Sequence, residues 1–385
     1  MSETWWVGQD ELDEDQQKVI ALPEFGNYLV TGPPGSGKTN LLLLRANYLY
    51  LSKLKNIQII TFTRSLKEFI ASGAGQYDFP ASKIVTCREW QIDFLHQYGR
   101  HIDPTGTFEK VRETFLDEML RVADEHKLES IYNGILLDEA QDYTPKEIEL
   151  FDRLTERLFC VADERQKIYA GDDSLSTIAN RVNQTFELKF HYRNGVNICR
   201  VADEIAQKWD GYRPLVETSN YDEATNPSTV DYKRLPSLEA QATEIVSRLN
   251  TQTAAFPDEY IGILCPKKEQ MSTVWEVISS SAHGGNAFLL HGSASDTFPA
   301  DKRIIVSTFH AAKGLEFRAL HLAGCELLQK FGNNRKMAFT AVTRAKTALS
   351  IYHTDDLHGY FEAALTIVEP AASPPTMASV FGGKK

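Results

Sequence analysis

Short apolar runs alternate with amphipathic stretches through the first half of the chain. Five runs rich in β-forming residues predict strands: FGNYLVTG, IQIITFT, KIVTC, NGILLDEA and RLFCVADE. Between them, TNLLLLRANYLYL and SLKEFIASGA predict helices, and the stripe of Val111, Phe115, Met119 and Val122 recurs at about the 3.6-residue period of an α-helix. Strands that alternate with helices predict a parallel sheet with its functional sites at the carboxyl ends of the strands.

The pattern restarts near Asn183 and predicts a second α/β unit. FELKFHYR opens it as a strand, VNICRVADEIAQKW follows as a helix, and further strands are predicted at STVDYKRL, EYIGILCP, RIIVSTFH, RALHLAGC and ALSIYHT. The Pro-, Ser- and Gly-rich residues 369–385 predict a disordered tail. We therefore expect a first domain at 1–184, with a small helical insertion at about 91–130, and a second domain at 185–368.

Charge is unevenly distributed along the chain. Its 385 residues include 41 Lys and Arg against 52 Asp and Glu, a net charge of −11. Residues 1–180 hold 19 basic and 30 acidic residues, whereas residues 181–385 hold 22 of each. This excludes a protein that coats nucleic acid through bulk positive charge, so any contact with a strand requires a local groove and stacking.

Hydropathy and cysteine content favour a soluble protein from a reducing compartment. The richest apolar stretch, from Leu41 to Leu51, is interrupted by Arg45, and no run reaches the ~18 residues of a membrane span. The acidic N-terminus lacks a signal-peptide profile. The five cysteines lie far apart without a CxxC pair, which argues against a zinc site or a disulfide framework. We expect a cytoplasmic protein without a membrane segment.

A glycine-rich motif lies between a predicted strand and a predicted helix. Gly32-Pro33-Pro34-Gly35-Ser36-Gly37-Lys38-Thr39 matches GxxxxGK[ST]. Its glycines let backbone N–H groups point at phosphate oxygens, and the helix N-terminus adds the positive end of its dipole. Lys38 would neutralise charge on the β- and γ-phosphates, and the Thr39 hydroxyl would hold Mg²⁺. The motif therefore predicts a nucleotide-binding site.

An acidic pair follows another buried strand. Asp138 and Glu139 come directly after the apolar run Ile135-Leu136-Leu137. Asp138 would anchor Mg²⁺, and Glu139 would orient and deprotonate the attacking water. Together with the phosphate loop, the pair predicts hydrolysis of the bound nucleotide.

The segment Asp138-Glu139-Ala140-Gln141-Asp142 resembles motif II of superfamily 1 helicases, particularly the UvrD/Rep-like group. The other motifs follow in the family's order over nearly the whole chain. They lie at 12–16 (the Q motif), 61–63 (Ia), 86–90 (Ib), 163–169 (III), 191–193 (IV), 307–317 (V) and 341–346 (VI). The resemblance implies an α/β protein of two tandem RecA-like P-loop domains, with ATP and Mg²⁺ in the cleft between them.

The resemblance also implies roles for single residues on both sides of this cleft. In the first domain, the amide of Gln16 would read the adenine edge, and Gln166 would link the γ-phosphate to bound nucleic acid. In the second domain, Tyr192 would stack on adenine, while Arg193 and Arg344 would act as arginine fingers on the γ-phosphate. The implied nucleotide-site residues outside the phosphate loop and the acidic pair are Gln16, Gln166, Tyr192, Arg193, Glu316 and Arg344.

Nucleic acid would cross the top of both domains. The implied contacts are Phe62, Thr63, Trp90, Tyr169, Thr308 and His310. Aromatic rings suit this role because each can stack on a base. For Trp90, which follows a predicted strand and begins a helical stretch, packing in the core is as good an interpretation as stacking.

The chain also departs from the family pattern. Gly171 stands where an aromatic residue usually follows the motif III tyrosine, and His191 stands where asparagine is usual in motif IV. Only 52 residues separate the start of motif Ib from motif II, and 114 separate the end of motif IV from motif V. We therefore expect the first accessory domain of such helicases as a helical stub and no second one.

Two functions fit these patterns. The leading hypothesis is a nucleic-acid-stimulated ATPase that translocates on single-stranded DNA rather than RNA, with 3′→5′ polarity and some capacity to unwind. The alternative is an ATP-gated subunit that loads onto DNA or RNA and regulates a nuclease or a replication or repair factor. Small size and Gly171 favour this alternative. The C-terminal tail and the Trp5-Trp6 pair are candidate contacts for a protein partner, although disorder of the tail and docking of the tryptophans onto the first domain also explain them.

Overall fold

The computed structural model describes residues 12–75, 77–166, 174–291, 301–330 and 334–367. These residues form two α/β domains, each built on a six-stranded sheet in which all paired strands are parallel. Buried aliphatic side chains cover both faces of each sheet. The predicted class, two α/β domains with parallel sheets, is confirmed. The predictions for Tyr169, Gly171, Trp5-Trp6 and the tail fall outside the described residues.

The first sheet brings the predicted motifs to one edge. Its strands are β1 Tyr28–Thr31, β2 Ile57–Thr61, β3 Ile84–Thr86, β4 Gly134–Leu137, β5 Leu158–Ala162 and β6 Gln184–Glu187. They lie in the order β3-β2-β4-β5-β1-β6. Because the strands are parallel, the phosphate loop, the acidic pair and motifs Ia, Ib and III all emerge at the same carboxyl edge.

Seven helices of the first domain lie within the described residues. They are α1 Glu14–Ile20, α2 Lys38–Leu51, α3 Arg64–Ala74, α4 Cys87–Gln97, α5 Phe108–Glu125, α6 Pro145–Leu154 and α7 Ser174–Ala179. The expected helical insertion consists of α4 and α5, which pack against each other. None of the helices in the described parts of the chain is both long and apolar enough to cross a membrane.

The boundary between the domains lies later than the predicted 184/185. Strand β6 pairs in parallel with β1, and Leu188 packs in the core of the first domain. Asn194 belongs to the second domain, because its amide donates to the carbonyl oxygens of Thr343 and Ala345, at 2.9 and 2.6 Å. The sequence suggested an earlier boundary because a pattern of apolar residues does not show which sheet a strand joins.

The second domain repeats the architecture. Its strands are β7 Thr229–Arg234, β8 Ile261–Cys265, β9 Ala287–Leu290, β10 Ile304–Thr308, β11 Phe317–Leu322 and β12 Ala345–His353, in the order β7-β12-β11-β8-β10-β9. Its helices are α8 Val196–Ala206, α9 Leu238–Ala255, α10 Lys268–Ser279, α11 Asn334–Val342 and α12 Gly359–Thr366. Strand β9 was not predicted from the sequence. The elements described between motifs IV and V all belong to this one domain.

Candidate active site

The phosphate loop joins the carboxyl end of β1 to the first turn of α2. Gly35 has a φ of 75°, and a Cβ there would lie 2.4 Å from the Cβ of Arg193, so the loop and the segment after β6 fit together only with glycine. The Lys38 ammonium curls into the loop and donates to the carbonyl oxygens of Gly32 and Pro33, 2.8 Å from each. Desolvation lowers the pKa of Lys38. The ammonium therefore already lies inside the loop that would cradle a phosphate.

Thr39 and Asp138 form a pair of oxygen donors beside this loop. The Thr39 hydroxyl donates to Asp138 Oδ2 at 3.0 Å. Burial and the neighbouring Glu139 carboxylate raise the pKa of Asp138 to about 7. Among the described residues, no group of three or more His, Cys, Asp or Glu side chains could hold a metal alone. The pair fits Mg²⁺, which binds one or two carboxylates and completes its coordination with nucleotide phosphates and water.

Glu139 is held in one orientation by its backbone and by Gln141. Its φ of 49° is in the left-handed region, which is uncommon for a residue with a side chain and is often found at functional sites. The Gln141 amide donates to the Glu139 carboxylate and accepts from the backbone N–H of Asp163 at 3.0 Å. Burial acts to raise the pKa of Glu139, but the cations Lys313 and Arg344 outweigh it and lower this pKa. The carboxylate is therefore ionised and can accept a proton from water.

Arg344 of the second domain reaches into the first domain at Gln166. Its guanidinium is buried and donates to the side-chain oxygen of Gln166 and, at 3.3 Å, to the carbonyl oxygen of Leu315. The Gln166 amide in turn donates to Asp163 Oδ2 at 3.2 Å. Burial lowers the pKa of Arg344, although Glu139 and Asp163 act to raise it. The structure thus brings the predicted motif III glutamine and motif VI arginine together.

Lys313 makes a second buried contact between the domains. Its ammonium donates to Asp142 Oδ2 at 2.6 Å and to the carbonyl oxygen of Gln166 at 2.8 Å, and lies 3.9 Å from Glu139 Oε2. The Lys313 and Asp142 side chains are 1% and 0% exposed, so solvent does not screen this ion pair. The sequence placed both residues in motifs but assigned them no role, because a single lysine in a sequence does not show that its ammonium is buried.

Arg193 and Glu316 form an ion pair at the same junction. The Arg193 guanidinium also lies 3.5 Å from the carbonyl oxygen of Thr343, and both side chains of the pair are mostly buried. Burial and the nearby Arg344 guanidinium lower the pKa of Arg193. The two predicted arginine fingers are therefore close enough to interact, and Glu316 neutralises one of them.

The predicted adenine residues meet at the end of the phosphate loop. The Gln16 amide donates to the carbonyl oxygen of Ser36 at 3.0 Å and accepts from the backbone N–H of Asp13 at 3.0 Å. Tyr192 donates through its hydroxyl to Asp13 and through its N–H to the carbonyl oxygen of Gly35. Its ring is 38% exposed and can offer a face to a base. In this structure the Gln16 amide is used by the protein itself, so reading adenine would require it to change partners.

Four of the predicted nucleic-acid residues lie close to the domain junction. The Thr63 hydroxyl lies 3.5 Å from the carbonyl oxygen of Lys313. Phe62 is the residue between Thr63 and the end of β2. His310 is exposed on the turn that contains Lys313. Thr308 is buried and caps this turn by accepting from the N–H of Ala311 at 3.2 Å. Thr308 therefore shapes the turn and does not present its side chain to a strand.

The prediction that Trp90 contacts nucleic acid is wrong. Its ring is 3% exposed and packs 4.9 Å from the Phe151 ring, between centroids, while its indole N–H donates to the Tyr132 hydroxyl. A ring that is buried on both faces cannot stack on a base. The interpretation as core packing is correct, because the apolar face of α4 is buried and the Trp90 ring packs among Phe94, Tyr132 and Phe151.

Two family models match the chain. An AAA domain model matches residues 16–172, and a model of the UvrD-like helicase C-terminal domain matches residues 303–352. Together they cover more than half of the chain and include the phosphate loop, the acidic pair, and motifs V and VI. No curated protein matches it.

Two solved helicases resemble the chain distantly. The helicase of PRRSV is 16% identical with a TM-score of 0.42, and the match covers 88% of this chain and 54% of that one. The arterivirus nonstructural protein 10 helicase is 15% identical with a TM-score of 0.41, and the match covers 91% of this chain and 63% of that one. The chain therefore spans less than two thirds of the length of either helicase.

Proposed function

Because the chain belongs to the UvrD/Rep-like superfamily 1 helicases, we propose that it hydrolyses ATP between its two domains and translocates along single-stranded DNA, in the 3′→5′ direction. One observation carries the proposal. The carboxylate of Glu139 in the first domain is surrounded by buried cations of the second domain, Lys313 and Arg344. Because residues of both domains complete the site, we expect the rate of hydrolysis to depend on closure of the two domains.

Each group around the cleft has a task in phosphoryl transfer. Lys38 and the loop N–H groups would hold the β- and γ-phosphates, and Thr39 with Asp138 would hold Mg²⁺, which neutralises phosphate charge when bound. Glu139 would take the proton of the attacking water. Arg344 would stabilise charge on the phosphate oxygens, which in other enzymes raises the rate by about 10³–10⁵-fold. Arg193 would do the same once it exchanges Glu316 for a phosphate.

The same contacts connect the proposed nucleic-acid site to the residues proposed to hydrolyse ATP. Thr63 lies against the Lys313 carbonyl, and the Lys313 ammonium contacts the main chain of Gln166 and approaches Glu139. A strand bound beside Thr63 and His310 would therefore act on the turn that supplies Lys313. We infer that strand binding stabilises the closed arrangement and so stimulates hydrolysis.

A second candidate function is supported by the small insertion in the first domain. The described insertion in the first domain is only the helix pair α4 and α5, and the described residues between motifs IV and V belong to the second domain. A helix pair of this size offers little surface for separating strands, so the second candidate is an ATP-gated subunit that binds DNA or RNA and regulates a partner.

Two assays distinguish these functions. ATP turnover is measured alone and with single-stranded DNA, duplex DNA or RNA, and strand displacement is measured on duplexes with a 3′ or a 5′ tail. We expect stimulation chiefly by single-stranded DNA, and displacement only from the 3′ tail. Stimulation without displacement from either tail would favour the ATP-gated subunit, and a lack of stimulation by every nucleic acid would contradict both functions.

A further inference from the structure

An exposed aromatic residue stands beside motif Ia, at the start of α5. Phe108 is the first residue of this helix, which Thr107 caps, and its ring is 50% exposed. The centroid of that ring lies 6.1 Å from that of Phe62, at an angle of 61°. Phe62 in turn contacts the buried Tyr143, with centroids 5.7 Å apart. The three rings form a row that runs from the core to the surface at the carboxyl edge of the first sheet.

Arg112 fixes this row in place. One turn after Phe108, its guanidinium lies 5.2 Å from the centre of the Phe62 ring. It also donates to both carboxylate oxygens of Glu147 and, at 2.9 Å, to the carbonyl oxygen of Asp142. The start of α5 is thus tied to the loop of the acidic pair. A fixed ring loses little conformational entropy when a ligand stacks on it.

We propose that Phe108 is a base-stacking residue of the single-stranded DNA site, a role that the motifs of the sequence do not assign. The inference rests on the proposed function, since it takes a bound strand as given. Three observations support it. Phe108 is exposed, it adjoins Phe62, and Phe62 precedes Thr63, which touches the second domain at Lys313. The row therefore continues the path on which a strand would meet both domains.

The ligand is recognised through its bases rather than its phosphates. Glu109 and Lys110, the two residues that follow Phe108 on α5, have opposite charge. The nearby Arg112 guanidinium is paired with Glu147, so this region has no excess of positive charge for a phosphate backbone. Stacking on an aromatic ring tolerates any base and contributes about 5- to 150-fold in affinity, equivalent to 1–3 kcal/mol at 1.4 kcal/mol per tenfold. Trp90 on the neighbouring helix α4 is buried. Phe108 is therefore the exposed aromatic residue that α5 presents beside motif Ia.

Fluorescence anisotropy with a labelled oligothymidylate tests the proposal. We expect Phe108→Ala and Phe108→Leu to weaken binding by about 5- to 150-fold, and Phe108→Tyr to bind like the wild type, because only an aromatic ring stacks. The slope of log affinity against log salt should not change in these variants, because no phosphate contact is lost. Phe25→Ala is the matched control, since Phe25 is 71% exposed and precedes β1, at the edge of the sheet opposite the carboxyl edge.

The outcomes separate this inference from the proposed function. If the wild type binds the oligonucleotide and Phe108→Ala binds equally well, the inference is wrong and the proposed function stands. If Phe108→Leu binds as well as the wild type, the contact is apolar packing and stacking is refuted. If the wild type itself binds no single-stranded DNA, the proposed function fails and the inference fails with it. Thermal unfolding of each variant, expected to match the wild type because Phe108 is half exposed, excludes misfolding as the cause of a loss.

Discussion

Replacement of Lys313 by methionine should uncouple the two domains. The substitution keeps most of the side-chain volume but removes an ammonium that Asp142 Oδ2 and the Gln166 carbonyl both accept from. Asp142 is buried, and burial raises its pKa to about 6 even though Lys313 acts to lower it. Without the ammonium, the pKa of Asp142 would rise further, and the first domain would keep a buried carboxyl group without its partner.

The cost follows from the burial of the ion pair. Removing one partner of a buried ion pair costs about 3–5 kcal/mol, far more than the 0–1 kcal/mol of an exposed pair. Because Lys313 and Asp142 belong to different domains, this cost falls on domain closure and not on the folding of either domain. At 1.4 kcal/mol per tenfold, closure becomes less favourable by about 140- to 3700-fold.

Steady-state ATP turnover at saturating single-stranded DNA measures this effect. We expect kcat to fall by about 100-fold or more in Lys313→Met, with thermal unfolding of the separate domains little changed. Lys233→Met is the matched control, because the Lys233–Glu244 pair is exposed on the second domain and should leave kcat within about twofold of the wild type.

A double-mutant cycle with Asp142→Asn tests the pairing itself. If the ammonium acts through Asp142, the loss caused by Lys313→Met should be much smaller in the Asp142→Asn background than in the wild type. Equal losses in both backgrounds, or full activity of Lys313→Met, would refute the argument that this ion pair couples the domains.

Three further predictions concern the chemistry and the stability of the chain. Glu139→Gln should lower kcat by about 10²–10⁴-fold while ATP binding, followed by a fluorescent analogue, stays within a few-fold; near-normal turnover would mean that Glu139 is not the base. Arg344→Ala should lower kcat by about 10³-fold or more, and a fully active variant would show that Arg344 is not an arginine finger. Burial lowers the pKa of His191 to about 4 and of His321 to about 3, so at these two side chains the unfolded chain binds more protons than the folded chain below pH ~6.5. The stability that each neutral, buried histidine contributes is therefore intact at pH 7.5 and declines as the pH falls, by about 2 kcal/mol for each histidine at pH 5. The raised pKa values of Asp138 and Asp142 act in the opposite direction over this range, so urea unfolding compares wild type with His191→Asn. On going from pH 7.5 to pH 5, the change in the free energy of unfolding should be less favourable in the wild type by about 2 kcal/mol, and an identical pH dependence of the two proteins would contradict this.

The sequence predicted the parts of the site that local chemistry determines. The phosphate loop, the acidic pair and the two parallel-sheet domains follow from glycine spacing and from apolar runs that end in carboxylates, and Thr39 and Asp138 do lie together. Gln166 and Arg344 came from the family resemblance, and their contact across the cleft agrees with it.

Other parts could not be predicted because they depend on packing between distant segments. Lys313 and Asp142 are 171 residues apart, and only the folded chain shows that their contact is buried. The position of Trp90 in a motif suggested a contact with nucleic acid, whereas in the structure its ring packs against Phe151 in the core between α4 and α6. The sequence predicted no role for Phe108, because it does not show that this aromatic residue at the start of a helix lies beside Phe62.

The ratio of ATP turnover with saturating single-stranded DNA to turnover without it shows whether a bound strand controls closure of the two domains. If a strand bound at the domain junction stabilises the arrangement in which Lys313 and Arg344 surround Glu139, turnover should rise several-fold and saturably with single-stranded DNA. We expect this rise to be lost in Lys313→Met and kept in Lys233→Met. Turnover that does not respond to single-stranded DNA, or a rise that Lys313→Met keeps in full, would contradict it.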